Sequence, residues 1–347
     1  MSGTITTVIP TFRRPALLRR ALRSVMCQTY PDFRVCVYDN ASGDDTESVV
    51  AQTAAGDRRV VYFRHQHNIG GAANFLFGMR RIETPYFSFL SDDDVVLPHF
   101  FEVALAGFTR RPDALMSAAS TVEVAPDGAP RFVPLALWER DGAYEPPAGA
   151  FAMLDNRHPT WTTILFRREA LDLVGYLDET VGAPSDLDYE LRIAARFPIV
   201  VSSRPCGAYV SHAGSGSASE TVAVIPGFAR IGANFAADTR IAPRARALLV
   251  RRLGRQLRAK LLEIWVKSLV RGDDGAAKEA ATAMRDRYGP WMGGAMLSVG
   301  WQACTRIRLF RRLLQGVESA RLARRARRGG VTLAPEALSE IREALSA

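Results

Sequence analysis

Three consecutive aspartates, Asp92-Asp93-Asp94, follow the apolar run Tyr86–Leu90 after a single Ser91. Three adjacent carboxylates repel one another, and holding them together is costly unless something positive joins them. A divalent cation does this: Mg2+ or Mn2+ takes carboxylate oxygens and keeps positions open for phosphate oxygens. A helix N-cap also favours Asp, but one Asp suffices for that. Asp186 and Asp188 form a second acidic pair, at the start of a run with helical spacing. Side chains two apart on a helix face different ways, so only one of them can point into a crevice. Asn68-Ile69-Gly70-Gly71 precedes a helical run, where backbone N–H groups can meet an anion. Arg13, Arg14 and Arg64 either neutralise phosphate or stand as surface charge.

Short β-rich runs alternate with helical stretches around these residues. Ile5–Ile9 reads as a buried strand stopped by Pro10. Pro15 sits where a first helical turn tolerates proline, and Ala16–Cys27 is helical. Phe33–Tyr38 is a second strand, ending in the turn cluster Asp39-Asn40-Ala41-Ser42-Gly43. A helix over Asp45–Ala54, a strand over Val60–Phe63, a helix over Gly71–Ile82, the strand before the aspartates and a helix over Leu97–Phe108 follow. This order predicts an α/β fold, a doubly wound, mostly parallel sheet flanked by helices. Ligands of such sheets bind outside the carboxyl ends of the strands. Thr11-Phe12-Arg13, Asp39-Asn40 and the aspartates all stand at strand ends, so they are expected to converge.

Beyond this, 124–159 is rich in Pro, Gly and Ala and reads as a loop excursion. Trp161–Phe166 reads as a strand and Asp186–Arg196 as a helix. Gly207–Ser219, which contains His212, reads as a Gly/Ser-rich lid. The last part is Ala-, Leu- and Arg-rich with helical periodicity. The expected organisation is therefore a domain over 1–224 and a basic α-helical C-terminal region over 225–347.

The chain has 347 residues, 48% of them hydrophobic, and a net charge of +9. Cys27, Cys36, Cys206 and Cys304 are scattered and form no CxxC pair, which argues against a zinc site or a disulfide framework and fits a reducing cytoplasm. Met1-Ser2-Gly3-Thr4 leads straight into the first strand, so no leader segment is expected. The longest apolar run, Trp291–Cys304, is shorter than the ~20 residues a spanning helix needs. Between Arg306 and Arg328 stand nine arginines and a single acid, Glu318. No aromatic-interleaved basic motif accompanies them, so nucleic acid is not the expected partner. Leu309, Phe310, Leu313 and Leu314 amid these arginines suit an amphipathic helix resting on the inner face of a membrane. Homo-oligomer formation through the same helices is equally compatible, as is a plain solvated face.

Four segments, in order, resemble family 2 glycosyltransferases of the GT-A fold: Val8-Ile9-Pro10-Thr11-Phe12, Val37-Tyr38-Asp39-Asn40-Ala41-Ser42, Phe89-Leu90-Ser91-Asp92-Asp93-Asp94 with Leu97-Pro98, and Ser185-Asp186-Leu187-Asp188-Tyr189-Glu190-Leu191-Arg192. The resemblance spans roughly residues 4–220. It implies an inverting transferase that takes a single sugar from a UDP- or dTDP-sugar donor to an acceptor hydroxyl. It places the donor against Pro10, Thr11, Phe12, Arg13, Asp39, Asn68, Gly70, Asp92 and Asp93, with Thr11 and Asp39 at the nucleotide base. The divalent metal (Mn2+ or Mg2+) falls to Asp93, with Asp94 and His212 completing its shell, or with Asp94 merely capping a helix from Val95. Trp161 and Thr162 lie on the acceptor side, although Trp161 reads equally as core. Asp186 matches the catalytic base. Ser185 and Ser91 replace acids that the family usually carries, and the first departure opens the base role to Asp188 as well. No Gln-x-x-Arg-Trp motif of polymerising members is present. A sugar nucleotidyltransferase would share the sheet and an acidic metal site, but normally has a glycine-rich loop where this chain has Pro10-Thr11-Phe12-Arg13-Arg14. A non-catalytic nucleotide-sugar-binding protein on the same fold is the remaining alternative.

Overall fold

The structure, a computed structural model, describes residues 4–133, 135, 138–156, 158–212, 222–289 and 333–346. These divide into two compact units. Residues 4–179, 185–212 and 333–346 make up the first, and 180–184 and 222–289 the second.

The first unit opens with β1 (Ile5–Thr11), α1 (Pro15–Met26), β2 (Phe33–Asp39), α2 (Thr46–Ala54), β3 (Val60–Arg64), α3 (Gly71–Met79) and β4 (Tyr86–Phe89). It continues with β5 (Val95–Val96), α4 (Phe100–Arg110), β6 (Met116–Val124), β7 (Pro130–Phe132), β8 (Gly142–Tyr144) and α5 (Ala148–Asp155). A 3-10 turn (Trp161–Thr163), β9 (Ile164–Arg167), α6 (Glu169–Leu173), α7 (Ser185–Ala194) and β10 (Ile199–Val210) complete the run.

The sheet order is β3-β2-β1-β4-β9-β6-β10-β5. The half formed by β3, β2, β1 and β4 is parallel throughout, as the β-α alternation requires. Beyond β4 the sheet is mixed: β9 runs antiparallel to both neighbours, and β6 and β10 are parallel to each other. Strand order reverses at β1, with β2 on one side and β4 on the other. That reversal is the topological switch point, and it lies between the ends carrying Thr11 and the aspartates.

Pro10 does not end β1; it pairs in register with Tyr38. Residues 8 and 10 of a strand address the same neighbour, and the Val8 carbonyl faces β4, accepting from the Leu90 N–H. Pairing with β4 stops at Val8, so the N–H that proline lacks falls where the ladder has already ended. α1 packs Leu18, Ala21, Leu22 and Val25 against the sheet at helical spacing. α3 comes so close that a Cβ on Gly78 would lie 2.5 Å from Val8 Cγ1.

The Pro/Gly/Ala-rich stretch after residue 124 is not one loop: it contains β7, β8 and α5. β6 escapes a reading by pattern because Met116–Val124 is buried along nearly its whole length, so its small and polar residues show no alternation. The strand expected over Trp161–Phe166 begins only at Ile164. Gly207 is not part of a lid. It lies in β10, paired with Val96 on one side and Thr121 on the other. Of the expected lid, 213–219 lies outside the described residues.

The last helix, α11 (Pro335–Ser346), belongs to the first unit rather than to a continuous C-terminal region. Its Ile341 is fully buried with Val95, Leu97, Val122, Val124, Ala208 and Val210. The second unit contains α8 (Val224–Ala237), α9 (Pro243–Arg271) and α10 (Asp274–Tyr288). Leu257, Leu261, Ile264, Trp265 and Leu269 of α9 pack on the small Ala277, Ala280 and Ala281 of α10. Asp273 caps α10 by accepting from the Ala276 N–H. Trp291–Cys304 and the basic run Arg306–Arg328 lie outside the described residues. Among the described residues no helix is long and apolar enough to cross a membrane.

β5 and β10 are held tightly at Gly207, where a Cβ would stand 2.8 Å from the Val95 carbonyl oxygen and 2.7 Å from Thr163 Cγ2. Gly207→Ala is expected to cost about 1–3 kcal/mol, read as a lowered midpoint in urea unfolding.

Candidate active site

The end of β1 meets the loop after β4 through a buried contact: Thr11 Oγ1 donates to Asp92 Oδ2 at 2.8 Å. Arg14, at the start of α1, donates to Asp92 Oδ1 at 3.3 Å and to Asp93 Oδ2 at 2.9 Å. His212 Nε2 reaches the same Asp93 oxygen, at 3.0 Å. Arg20, two turns along α1, donates to the Asp93 carbonyl. The aspartate cluster, the β1 end and His212 thus meet as expected.

The three aspartates do different work. Burial is the main cause raising Asp92, opposed first by the Thr11 hydrogen bond. Asp94 is 2% exposed, accepts from Thr162 Oγ1 at 2.7 Å and from the Val210 N–H at 3.1 Å. Burial and then the Asp93 charge push its carboxyl up to about 8, so these outweigh its two hydrogen bonds. Asp94 does not cap a helix: Val95 and Val96 are a strand, and the next helix starts at Phe100. It ties the Thr162 turn and the end of β10 to the cluster, and both its oxygens are engaged in doing so. Only Asp93 combines a carboxylate oxygen with an adjacent imidazole.

A divalent ion fits this donor set. Asp93 Oδ2 and His212 Nε2 are 3.0 Å apart, about the spacing of two adjacent ligands at ~2.1 Å on an octahedral ion. Among the described residues no group of three or more acidic, His or Cys side chains forms a metal cage. The remaining positions would fall to water and substrate phosphate, which is how Mg2+ and Mn2+ are commonly held. In this structure Arg14 supplies the positive charge between Asp92 and Asp93.

The second strand end is organised around Asp39. It is 1% exposed. Its Oδ1 accepts from the Ser42 N–H and Oγ, and its Oδ2 from Tyr62 OH at 2.6 Å. Ser42 Oγ in turn accepts from the Arg13 N–H. Arg13 and Ala41 both have left-handed backbones, φ 56 and 60, conformations that non-glycine residues avoid and that concentrate at ligand-binding loops. Phe12 is exposed, with the Arg13 guanidinium over its ring. Asn40 accepts from the Ile69 N–H and donates to Asn68 Oδ1, which also accepts from the Gly70 N–H. The N–H groups of Ile69 and Gly70, expected to face an anion, are therefore engaged within the loop. Gly70 has φ 90 and cannot readily be another residue. Arg64 faces Glu47 at 4.0 Å on the surface.

On the other side, Trp161 stacks on Phe89 at the end of β4, with ring centroids 4.6 Å apart, and also touches Phe75, Phe166 and Tyr189. Thr162 is buried against Asp94. Asp186 and Asp188 separate clearly. Asp188 is fully buried and pairs with Arg192 one turn on, at 2.7 Å. Arg192 also donates to the carbonyls of Val174 and Tyr176, which fixes the pair. Asp186 stays partly exposed at the helix start, accepting from the Leu187 N–H. The residues that sequence reasoning missed are Arg20, Ser42 and Tyr62. Each acts across the fold, and only the i, i+4 spacing of Asp188 and Arg192 was readable in advance.

Residues 6–174 match the family described as Glycosyl transferase family 2. This is a family 2 glycosyltransferase domain. A beta-1,3-glucosyltransferase of Campylobacter jejuni, named for GalNAc(5)-diNAcBac-PP-undecaprenol, is 35% identical over 94 residues, 27% of this chain and 30% of that protein. The succinoglycan biosynthesis protein ExoW of Rhizobium meliloti is 35% identical over 109 residues, 30% of this chain and 34% of its own length. The chain thus matches about a third of the length of these curated relatives. Among solved structures, residues 1–349 of S. aureus TarS in complex with UDP-GlcNAc superpose with a TM-score of 0.63 at 16% identity, covering 92% of each chain. The mannosyltransferase PcManGT from Pyrobaculum calidifontis, in complex with GDP-Man and Mn2+, gives 0.52 at 16% identity, covering 96% of this chain and 89% of that one. The glycosyltransferase domain therefore has the GT-A fold that its motifs imply.

The two acids on α7 make opposite predictions for stability. Asp188→Asn breaks a buried ion pair and is expected to cost about 3–5 kcal/mol. Asp186→Asn is expected to stay within about 1 kcal/mol of the parent protein. Chemical denaturation of the two variants separates them.

Proposed function

We propose that this glycosyltransferase moves a single sugar from a UDP- or dTDP-sugar to an acceptor hydroxyl, inverting the anomeric centre. The observation that carries the reading is the meeting of Arg14 and His212 on one oxygen of Asp93, at the switch point of the sheet. A concentration of positive charge and metal-ligand atoms at that point suits a diphosphate. The S. aureus neighbour was solved with UDP-GlcNAc, which supports a uridine-linked donor.

In this reading Asp93 and His212 would hold the divalent ion, which when bound would stabilise negative charge on the leaving diphosphate. Arg14 then pairs with phosphate in place of Asp93. The Asp39–Ser42 turn and the Arg13 backbone shape the nucleotide subsite, and the Trp161 turn borders the acceptor. Asp186 takes the proton of the acceptor hydroxyl while that oxygen attacks the anomeric carbon from the face opposite the diphosphate. The carbon–oxygen bond to the diphosphate breaks as the new one forms, so configuration inverts. The pairing of Asp188 with Arg192 supports giving the base role to Asp186. Because the Campylobacter relative is named for an undecaprenol-linked substrate, a lipid-linked acceptor met at the cytoplasmic face of a membrane is the favoured context. Basic α9, with Arg244, Arg251 and Arg255 exposed, is the described element suited to anionic headgroups.

Asp93→Ala is expected to abolish the Mn2+-dependent part of UDP binding, measured by calorimetry; unchanged affinity would overturn the metal assignment. Asp186→Asn is expected to keep UDP affinity and to lower transfer by about 10²–10⁴-fold, measured as product formed per enzyme at saturating donor.

A further inference from the structure

Glu190 lies on α7 one turn beyond Asp186, and the reaction scheme above does not use it. Its side chain is fully buried. Neither carboxylate oxygen has an aligned hydrogen-bond partner among the described residues. Such a group is expensive to bury and normally does something for the protein. His158 Nδ1 lies 3.3 Å from Glu190 Oε2. The indole N–H of Trp161 is near enough to help hold the carboxylate, yet it too is buried without an aligned acceptor.

The groups that face Glu190 come from three elements. Asp186 shares its helix, at the i, i+4 spacing that makes side chains neighbours. His158 comes from the segment after α5, and Trp161 from the 3-10 turn. α5, which packs on α7, carries only Asp155 as a charged residue, and that side chain is exposed. Asp188 and Arg192 are engaged with each other. Burial pushes the Glu190 carboxyl up to about 7; His158 opposes this most strongly, Asp186 adds to it and Trp161 opposes it. Coupling between two titrating sites is reciprocal. Whatever the Asp186 charge does to Glu190, the Glu190 charge does to Asp186.

We propose that Glu190 is a positioning residue for sugar transfer: buried one turn behind Asp186, between His158 and Trp161, its negative charge makes Asp186 a stronger proton acceptor. The proposal rests on the reading of Asp186 as the base. When Glu190 is charged, a proton arriving on Asp186 relieves repulsion between the two carboxylates. When Glu190 is neutral, that assistance is gone. The assistance is therefore present above about pH 7 and fades as pH falls through that value.

The test is a carboxyl-13C NMR titration of the metal-free full chain labelled at aspartate, with the Asp186 signal identified by its loss in Asp186→Asn. The parent protein is expected to show, besides the titration of Asp186 itself, a second inflection near pH 7 that reports Glu190. In Glu190→Gln that inflection disappears, because the amide carries no charge at any pH. In His158→Gln the second inflection moves to higher pH, because the group that most lowers Glu190 has gone. An Asp186 signal with a single inflection in the parent protein overturns the proposal without any variant. So does a second inflection that persists in a folded Glu190→Gln protein. If Asp186→Asn still releases UDP from UDP-GlcNAc as fast as the parent while the second inflection stands, the base reading fails and the coupling does not.

Discussion

Three carboxyl groups in a row cannot all be charged, buried and unpaired, and the architecture around the β4 end follows from how that conflict is resolved. Asp92 is held by the hydroxyl of Thr11 and by Arg14. Asp93 shares one oxygen between Arg14 and His212. Asp94 withdraws into the interior, where burial favours its neutral form, and joins Thr162 to the last residue of β10. Each solution recruits a different part of the chain. Together they bring β1, α1, β10 and the 3-10 turn to a single point.

The loops beside that point are built with similar economy of contacts. Ser42 links Asp39 to the Arg13 backbone, and Asn40 links β2 to the Asn68–Gly70 turn. Two left-handed non-glycine residues are kept in place by these bonds. Conformations of that kind cost of order 1 kcal/mol each and persist only when their surroundings over-determine them. Pre-set loops next to a charged cluster lose little entropy on binding a ligand, which is the general advantage of preorganisation. α11 adds support from behind, packing Ile341 beneath β5 and β10, the strands that flank Asp94.

On α7 the helix period sets two pairs of side chains on different faces. Asp188 and Arg192, four apart, make a buried clasp that anchors the helix to the backbone at Val174 and Tyr176. Asp186 and Glu190, also four apart, stand together on a different face, one partly exposed and the other buried. The Trp161 turn lies between this pair and the aspartate cluster, with Trp161 stacked on Phe89 and Thr162 bonded to Asp94. Through that turn the two acidic centres of the glycosyltransferase domain are mechanically linked, although nearly a hundred residues separate them in the chain.

The parallel half of the sheet was legible in the sequence, because β1 to β4 alternate with helices whose apolar spacing is regular. So were the family and the acidic strand ends, because strands followed by Asp39-Asn40 and by Asp92-Asp93-Asp94 are local patterns. The mixed half was not. β6 is buried along nearly its whole length and carries no alternation, and β9 and β10 take their directions from neighbours far away in the chain. Nor could the sequence distribute roles among equivalent acids. Local pattern gives residue type and spacing, and from these it determined which carboxylates stand near the site. Which of them is paired, neutral or open depends on depth and on long-range partners such as Arg14, His212, Thr162 and His158. Only the tertiary structure decided that, because desolvation and charge pairing act through space, not along the chain.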